Sequence, residues 1–226
     1  MRRAATACAS LTLVFAVIAG CSSEPPTDGP LRIVVIGDSY TGGSAEGGRN
    51  AAAWPRVARE ELRSDGVDVA MAVSAHGGSG YLARGVDGST FLDAVLDISK
   101  PDDDVVVIFG GINDANWSNQ QERAAVREVL KELRQRSPEA ELIVVGPAWP
   151  ASNPTPQILS VRDVLRAESS AVDAAFVDPI ADRWFADRPD LIGDDGIHPT
   201  DDGHRLMAQK LEPYLRSALP ASRATG

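Results

Sequence analysis

Leu31-Arg32-Ile33-Val34-Val35-Ile36-Gly37-Asp38-Ser39 is a short apolar run, rich in β-branched residues, that ends in glycine and two small polar residues. A strand half-exposed to water alternates apolar with polar residues, whereas one buried on both faces reads as a continuous apolar run. Leu31–Ile36 is therefore expected to be a buried parallel strand, and Gly37 a tight exit that lifts Asp38 and Ser39 above its end.

The same signature returns downstream. Val67–Val73 reads as a second strand, and Asp104–Phe109 as a third that again runs into glycines. Leu142–Val145 and Ala174–Val177 give the fourth and fifth strands. Helical periodicity fills the gaps: residues 53–62, Phe91–Ile98, Gln120–Arg136 with Val126, Val129, Leu130 and Leu133 on one face, and Ile158–Ser170. Thr200 is the expected N-cap of a last helix reaching about Leu219. Alternating strands and helices imply an α/β fold with a mostly parallel sheet covered on both faces. Ligands in such sheets bind beyond the carboxyl ends of the strands. There the chain places Gly37-Asp38-Ser39, then Gly77-Gly78-Ser79-Gly80, then Gly110-Gly111-Ile112-Asn113-Asp114.

Composition narrows the function. The 226 residues carry 22 Lys and Arg against 32 Asp and Glu, a formal charge of -10. This acidic balance argues against nucleic acid, whose phosphates need a basic footprint. It also argues against electrostatic recruitment to anionic lipid. Arg2 and Arg3 followed by the apolar stretch Leu11–Ile18, too short to span a bilayer, read as an export signal. The signal ends in Ile18-Ala19-Gly20-Cys21, which resembles the bacterial lipobox. That resemblance implies cleavage after residue 20, lipidation of Cys21, and attachment to the outer face of the cytoplasmic membrane. Residues 21–30 form the lipidated cysteine and a Pro- and Gly-rich tether, and 31–220 a single catalytic domain. Cys8 leaves with the signal, so no disulfide is expected. A monomer is the default.

Acyl transfer needs a nucleophile, a base, a group that orients the base, and donors for the oxyanion. Ser39 at its strand exit suits the nucleophile. His198 lies in Asp194-Asp195-Gly196-Ile197-His198-Pro199, where Pro199 disfavours a helical conformation for it. Asp195 can fold back through Gly196 onto one imidazole nitrogen, leaving the other for Ser39. Asp194 is the weaker alternative.

Gly37-Asp38-Ser39-Tyr40, the glycines around Gly78, Gly111-Ile112-Asn113-Asp114 and Asp195-Gly196-Ile197-His198-Pro199 resemble, in order, the four blocks of the SGNH/GDSL hydrolases. The resemblance implies a flavodoxin-like three-layer α/β/α sandwich with a mostly parallel five-stranded sheet. It implies esterase chemistry without metal or cofactor, with Ser39, His198 and Asp195 as triad. Backbone N–H groups of Ser39 and Gly78 and the side-chain amide of Asn113 would form the oxyanion hole; Gly77 and Gly80 compete with Gly78. Short-chain O-acyl esters on envelope glycans or glycolipids are the expected substrates. Acyl transfer to a sugar hydroxyl, or mere binding of acylated ligands, are the alternatives.

Tyr40 either packs or lines the pocket, Trp117 and Trp149 are candidate pocket walls with core packing as the equal alternative, and Trp54 and Trp184 read as packing residues. Asp38 and Asp114 are expected to bond nearby backbone. His76 reads as a loop residue and His204 as exposed in the first turn of the last helix. Because a base must be neutral, and free histidine titrates near ~6.5, activity is expected to rise from acid pH towards neutrality.

Overall fold

The computed structural model describes residues 29–220. Signal, lipidation site and most of the tether lie outside these residues. Five strands, β1 (Leu31–Gly37), β2 (Val69–Ala75), β3 (Val105–Phe109), β4 (Glu141–Val145) and β5 (Ala175–Val177), form one sheet in the order β2-β1-β3-β4-β5, every pair parallel. This is the doubly wound, flavodoxin-like order, in which the chain reverses direction across the sheet between β1 and β3.

The central strands are apolar throughout because each face has its own helices. Ile33, Val35, Val107, Phe109, Ile143 and Val145 point to one side. There they meet α2 (Trp54–Ser64) through Trp54, Ala58 and Leu62, and α6 (Asp201–Ala218) through Met207, Leu211 and Leu215. Val34, Ile36, Val106, Ile108, Leu142 and Val144 point to the other. They meet α3 (Phe91–Ile98), α4 (Asn119–Arg136) and α5 (Pro156–Ser170). The period-two alternation inside a continuous apolar run thus feeds two separate cores.

Helix starts follow their caps. Thr90 with Asp93, and Ser118 with Gln121, make reciprocal capping boxes, and Thr200 accepts from the Gly203 N–H as the cap of α6. Two local features differ from expectation. The second strand begins at Val69, two residues later than the apolar alternation proposes, because Val67 is spent closing α2: its N–H donates to the Leu62 carbonyl at 3.0 Å. A single helical turn, α1 (Ser39–Gly42), follows β1, where the sequence pattern marks only a tight exit.

Candidate active site

The carboxyl ends of β1, β2 and β3 bring three of the four sequence blocks to one edge of the sheet. Asp38 caps α1, its Oδ1 accepting the Tyr40 N–H at 2.8 Å, so Ser39 sits at the first position of the turn. The fourth block arrives from the far end of the chain. An antiparallel bridge between Ile192 and Pro199, with the Gly193 N–H donating to the His198 carbonyl at 2.8 Å, closes a narrow loop just ahead of α6. Gly196, at φ +69°, makes the left-handed bend that lets Asp195 face His198.

On this loop the expected relay is in place. The His198 Nδ1–H donates to Asp195 Oδ2 at 2.5 Å, and His198 Nε2 lies 3.0 Å from Ser39 Oγ. A carboxylate can only accept, so Nδ1 carries the proton and Nε2 offers its lone pair to the serine hydroxyl. Asp195 Oδ1 also accepts the backbone N–H groups of Ile197 at 2.8 Å and His198 at 2.9 Å. The histidine ring first, then these two amides, hold the Asp195 carboxyl down at about 2. Asp194 takes no part; its N–H donates to Glu46 Oε2 at 2.9 Å, tying the loop to the segment after α1.

Among the described residues the backbone N–H groups of Ser39, Gly77 and Gly78 find no acceptor, so Gly77 and Gly78 are equally free to donate. Gly80, one of the alternatives to Gly78, donates instead to the Ala83 carbonyl at 2.9 Å. Asn113 reaches the site, but its amide nitrogen is already engaged: one N–H goes to Asp38 Oδ2 at 3.0 Å and the other to the Ser79 carbonyl at 2.9 Å. Both hydrogens of the amide thus have acceptors in the resting enzyme, so Asn113 serves an oxyanion only by sharing one of them. Burial pushes the Asp38 carboxyl up to about 7, the nearby Asp114 carboxylate adding to the effect and the Tyr40 N–H opposing it.

Asp114 organises the loop that presents Gly78. It is fully buried and accepts three consecutive amides: Tyr81 N–H at 2.9 Å, Leu82 N–H at 2.9 Å and Ala83 N–H at 2.8 Å. A Cβ on Gly80 would fall 2.3 Å from Asp114 Oδ2, so the approach requires glycine there. The loop is also tied by His76, whose Nδ1 pairs with Asp87 at 2.6 Å and whose Nε2 lies 3.0 Å from Ser74 Oγ.

Three expectations are corrected. Tyr40 does not line an open pocket; it is 3% exposed, packs near Phe109 and Phe185, and donates its hydroxyl to the Ile197 carbonyl at 2.6 Å. Trp149 borders a small crevice formed with Pro154, Pro179, Ile180 and Trp184, and none of the triad lines it. His204 is fully buried: the Trp54 N–H donates to its Nδ1 at 3.3 Å and its ring lies against Gly48. Burial lowers the His204 pKa to about 4, so the ring is neutral. The spacing of His204 with Met207, Ala208, Leu211 and Leu215 is the signal that could have placed it on the inner face. Trp117, by contrast, is 37% exposed on the loop that follows Asn113, and Trp54 and Trp184 pack in the core as expected.

Known proteins resemble this chain over most of its length. The profile of the GDSL-like Lipase/Acylhydrolase family matches residues 35–206. The GDSL lipase Rv0518 of Mycobacterium tuberculosis is 39% identical over 97% of this chain and 99% of its own. The lipase/acylhydrolase from Enterococcus faecalis superposes with a TM-score of 0.68 at 19% identity, over 84% of this chain and 97% of that one. A family two carbohydrate esterase from Clostridium thermocellum, solved with cellohexaose, gives 0.67 at 18% identity, over 86% of this chain and 66% of its own. With that sequence match and this fold, the chain belongs to the GDSL-like lipase/acylhydrolase family and is a hydrolase of ester bonds.

Proposed function

We propose that the enzyme cleaves short-chain O-acyl esters of cell-envelope glycans or glycolipids through an acyl-Ser39 intermediate. The Asp195–His198–Ser39 relay carries this reading. Ser39 Oγ attacks the ester carbonyl as its proton passes to His198 Nε2, and the imidazolium is stabilised by ionised Asp195. The carbonyl oxygen becomes an oxyanion, met by the Ser39 and Gly78 N–H groups and by an Asn113 N–H shared with Asp38 or Ser79. Collapse expels the alcohol, which takes the proton from Nε2. Water then attacks the acyl-serine with His198 as base, regenerating Ser39 and releasing the acid.

Side-chain exposures of 27% for His198 and 35% for Asp195 support a bulky substrate, since an ester on a polymer can approach such a site directly. The fold shared with the carbohydrate esterase is consistent with a glycan as the alcohol. The resemblance of Ile18-Ala19-Gly20-Cys21 to a lipobox supports an exported, lipid-anchored enzyme on the outer face of the cytoplasmic membrane. No described helix is long and apolar enough to cross a membrane.

The test is hydrolysis of p-nitrophenyl acetate and butyrate by the domain from Ser22 onward, beside Ser39→Ala. A fluorophosphonate should label Ser39, and the substitution should abolish both labelling and turnover. Turnover retained by Ser39→Ala would overturn the mechanism.

A further inference from the structure

His76 and Ser79 close a four-residue turn around Gly77 and Gly78, the Ser79 N–H donating to the His76 carbonyl at 3.0 Å. Gly78 stands third in this turn at φ +79°, the type II form. The base of the turn is pinned to β1. The His76 N–H donates to the Gly37 carbonyl at 3.0 Å, and Ser79 Oγ lies 3.4 Å from the same oxygen. The peptide joining the two glycines has room to rotate. Type I and type II turns differ by a rotation of that central peptide through roughly 150–170°, with the ends in place. A Cβ on Gly77 would meet nothing within 4 Å, and one on Gly78 only Gly85 Cα at 3.9 Å.

Segment 84–89 sets the direction of this peptide. The Val86 N–H donates to the Gly77 carbonyl at 2.9 Å. A trans peptide holds its C=O and N–H on opposite sides, so this bond turns the Gly78 N–H away from the segment. A rotated peptide would offer the oxyanion the Gly77 carbonyl, an acceptor, in place of a donor. Packing does not hold Val86, which is 93% exposed. Asp87, the next residue, ties the segment down instead. Its Oδ2 accepts the His76 Nδ1–H at 2.6 Å, while Oδ1 accepts the Ser89 N–H at 3.1 Å and the Ser89 hydroxyl at 2.6 Å. His76 Nε2 lies 3.0 Å from Ser74 Oγ, so the imidazole bridges β2 to the segment.

We propose that His76 and Asp87 form a latch that keeps the Gly77–Gly78 peptide in its catalytic orientation. They are positioning residues for the oxyanion hole, acting through the Val86 N–H. The latch rests on the acyl-Ser39 mechanism proposed above.

The test is steady-state hydrolysis of p-nitrophenyl butyrate by the full chain and by Asp87→Ala, Asp87→Asn, Val86→Pro and the Val86→Pro/Asp87→Ala double variant. Asp87→Ala opens the latch, and Val86→Pro removes the N–H that holds the carbonyl. Each should lower kcat by about tenfold or more, within the ~10²–10³ that loss of one oxyanion donor costs, with KM changed less than twofold. The double variant should be no slower than Val86→Pro alone, because both changes release the same peptide. Asp87→Asn should stay within about threefold of the parent, since the other imidazole tautomer accepts its NH2 at Nδ1 and donates from Nε2 to Ser74. Parental kcat in Asp87→Ala overturns the latch. So does a raised KM at constant kcat, a loss in Asp87→Asn equal to that in Asp87→Ala, or a double variant slowed by the product of the single effects. Fluorophosphonate labelling of Ser39 in the parent tests the acyl-serine reading separately. A labelled parent with unaffected variants sinks the latch alone, and a parent that takes no label sinks both.

Discussion

Replacing Asp114 by asparagine separates the support of the oxyanion loop from the triad. The carboxylate is fully buried and collects the N–H groups of Tyr81, Leu82 and Ala83. Asparagine has the same shape, so its Oδ1 can keep the Leu82 and Ala83 bonds. Its NH2 must then face the Tyr81 N–H, donor against donor, in a place water does not reach. Losing one charge-assisted bond and orphaning one buried amide costs about 2–3 kcal/mol. In a domain of this size that lowers the melting temperature by roughly 4–12 °C. Alanine would orphan all three amides at ~1–3 kcal/mol each, a cost approaching the ~5–15 kcal/mol of a whole domain, so asparagine is the informative change. Activity should respond separately from stability. Deleting an oxyanion donor outright costs ~10²–10³ in kcat, and tilting the Gly78 N–H should cost about tenfold, with KM changed less than twofold. Steady-state hydrolysis of p-nitrophenyl butyrate, beside thermal unfolding of the same preparations, makes the measurement. Fluorophosphonate labelling should slow by the same factor as kcat. A variant destabilised as stated but with parental kcat would show that Asp114 supports the fold and not the oxyanion site, and the reasoning would fall.

Other outcomes follow from the same geometry. His204, whose pKa burial lowers to about 4, stabilises the fold fully above ~6.5, and that contribution is lost as pH falls towards 4. Between pH 7.5 and 4.5 the parent should therefore lose roughly 2–3 kcal/mol more than His204→Asn in urea titrations, and parallel curves would refute the assignment. Glu122 is buried with both carboxyl oxygens unpartnered, and burial raises its pKa to about 9, the Asp114 carboxylate contributing. Its contribution runs the other way, present below ~4.5 and lost as pH rises towards 9, so the advantage of Glu122→Gln should widen by about 1.4 kcal/mol per unit between pH 5 and 8. A pH-independent difference would contradict the burial of a neutral acid. Tyr40→Phe removes the bond to the Ile197 carbonyl and should lower kcat about tenfold at constant KM through a looser His198, at a stability cost of ~1 kcal/mol. An unchanged kcat would mean that the loop positions His198 unaided.

What was legible in the sequence is what short-range physics writes there. The apolar run of β1, the Thr200 cap and the Asp195–His198 spacing each concern residues within a few positions of one another, and each is found as read. The two-residue offset of β2 arose because Val67 satisfies the apolar alternation and the end of α2 equally well, and only the backbone bond to Leu62 decides between them. Long-range partnerships left no comparable trace. Nothing near Tyr40 signals a carbonyl 157 residues away, and nothing near Asp114 signals three amides more than thirty residues upstream. The engagement of both Asn113 hydrogens was equally hidden, because the family pattern gives a residue type and not its resting partners. His204 was a different failure: its spacing with the apolar residues of α6 was visible, and the ordinary exposure of a first-turn histidine outweighed it.

The bond from the Tyr40 hydroxyl to the Ile197 carbonyl joins the helical turn after the first strand to the loop before the last helix. Ser39 is made almost first and His198 almost last, so no N-terminal fragment, however well ordered, holds both halves of the relay. Competence switches on only when α6 docks against α2 and carries its loop home. An unfinished chain is thereby inert, and one clipped short before His198 is harmless. The appearance of fluorophosphonate reactivity during refolding should coincide with the final step of folding, so the enzyme certifies its own completeness.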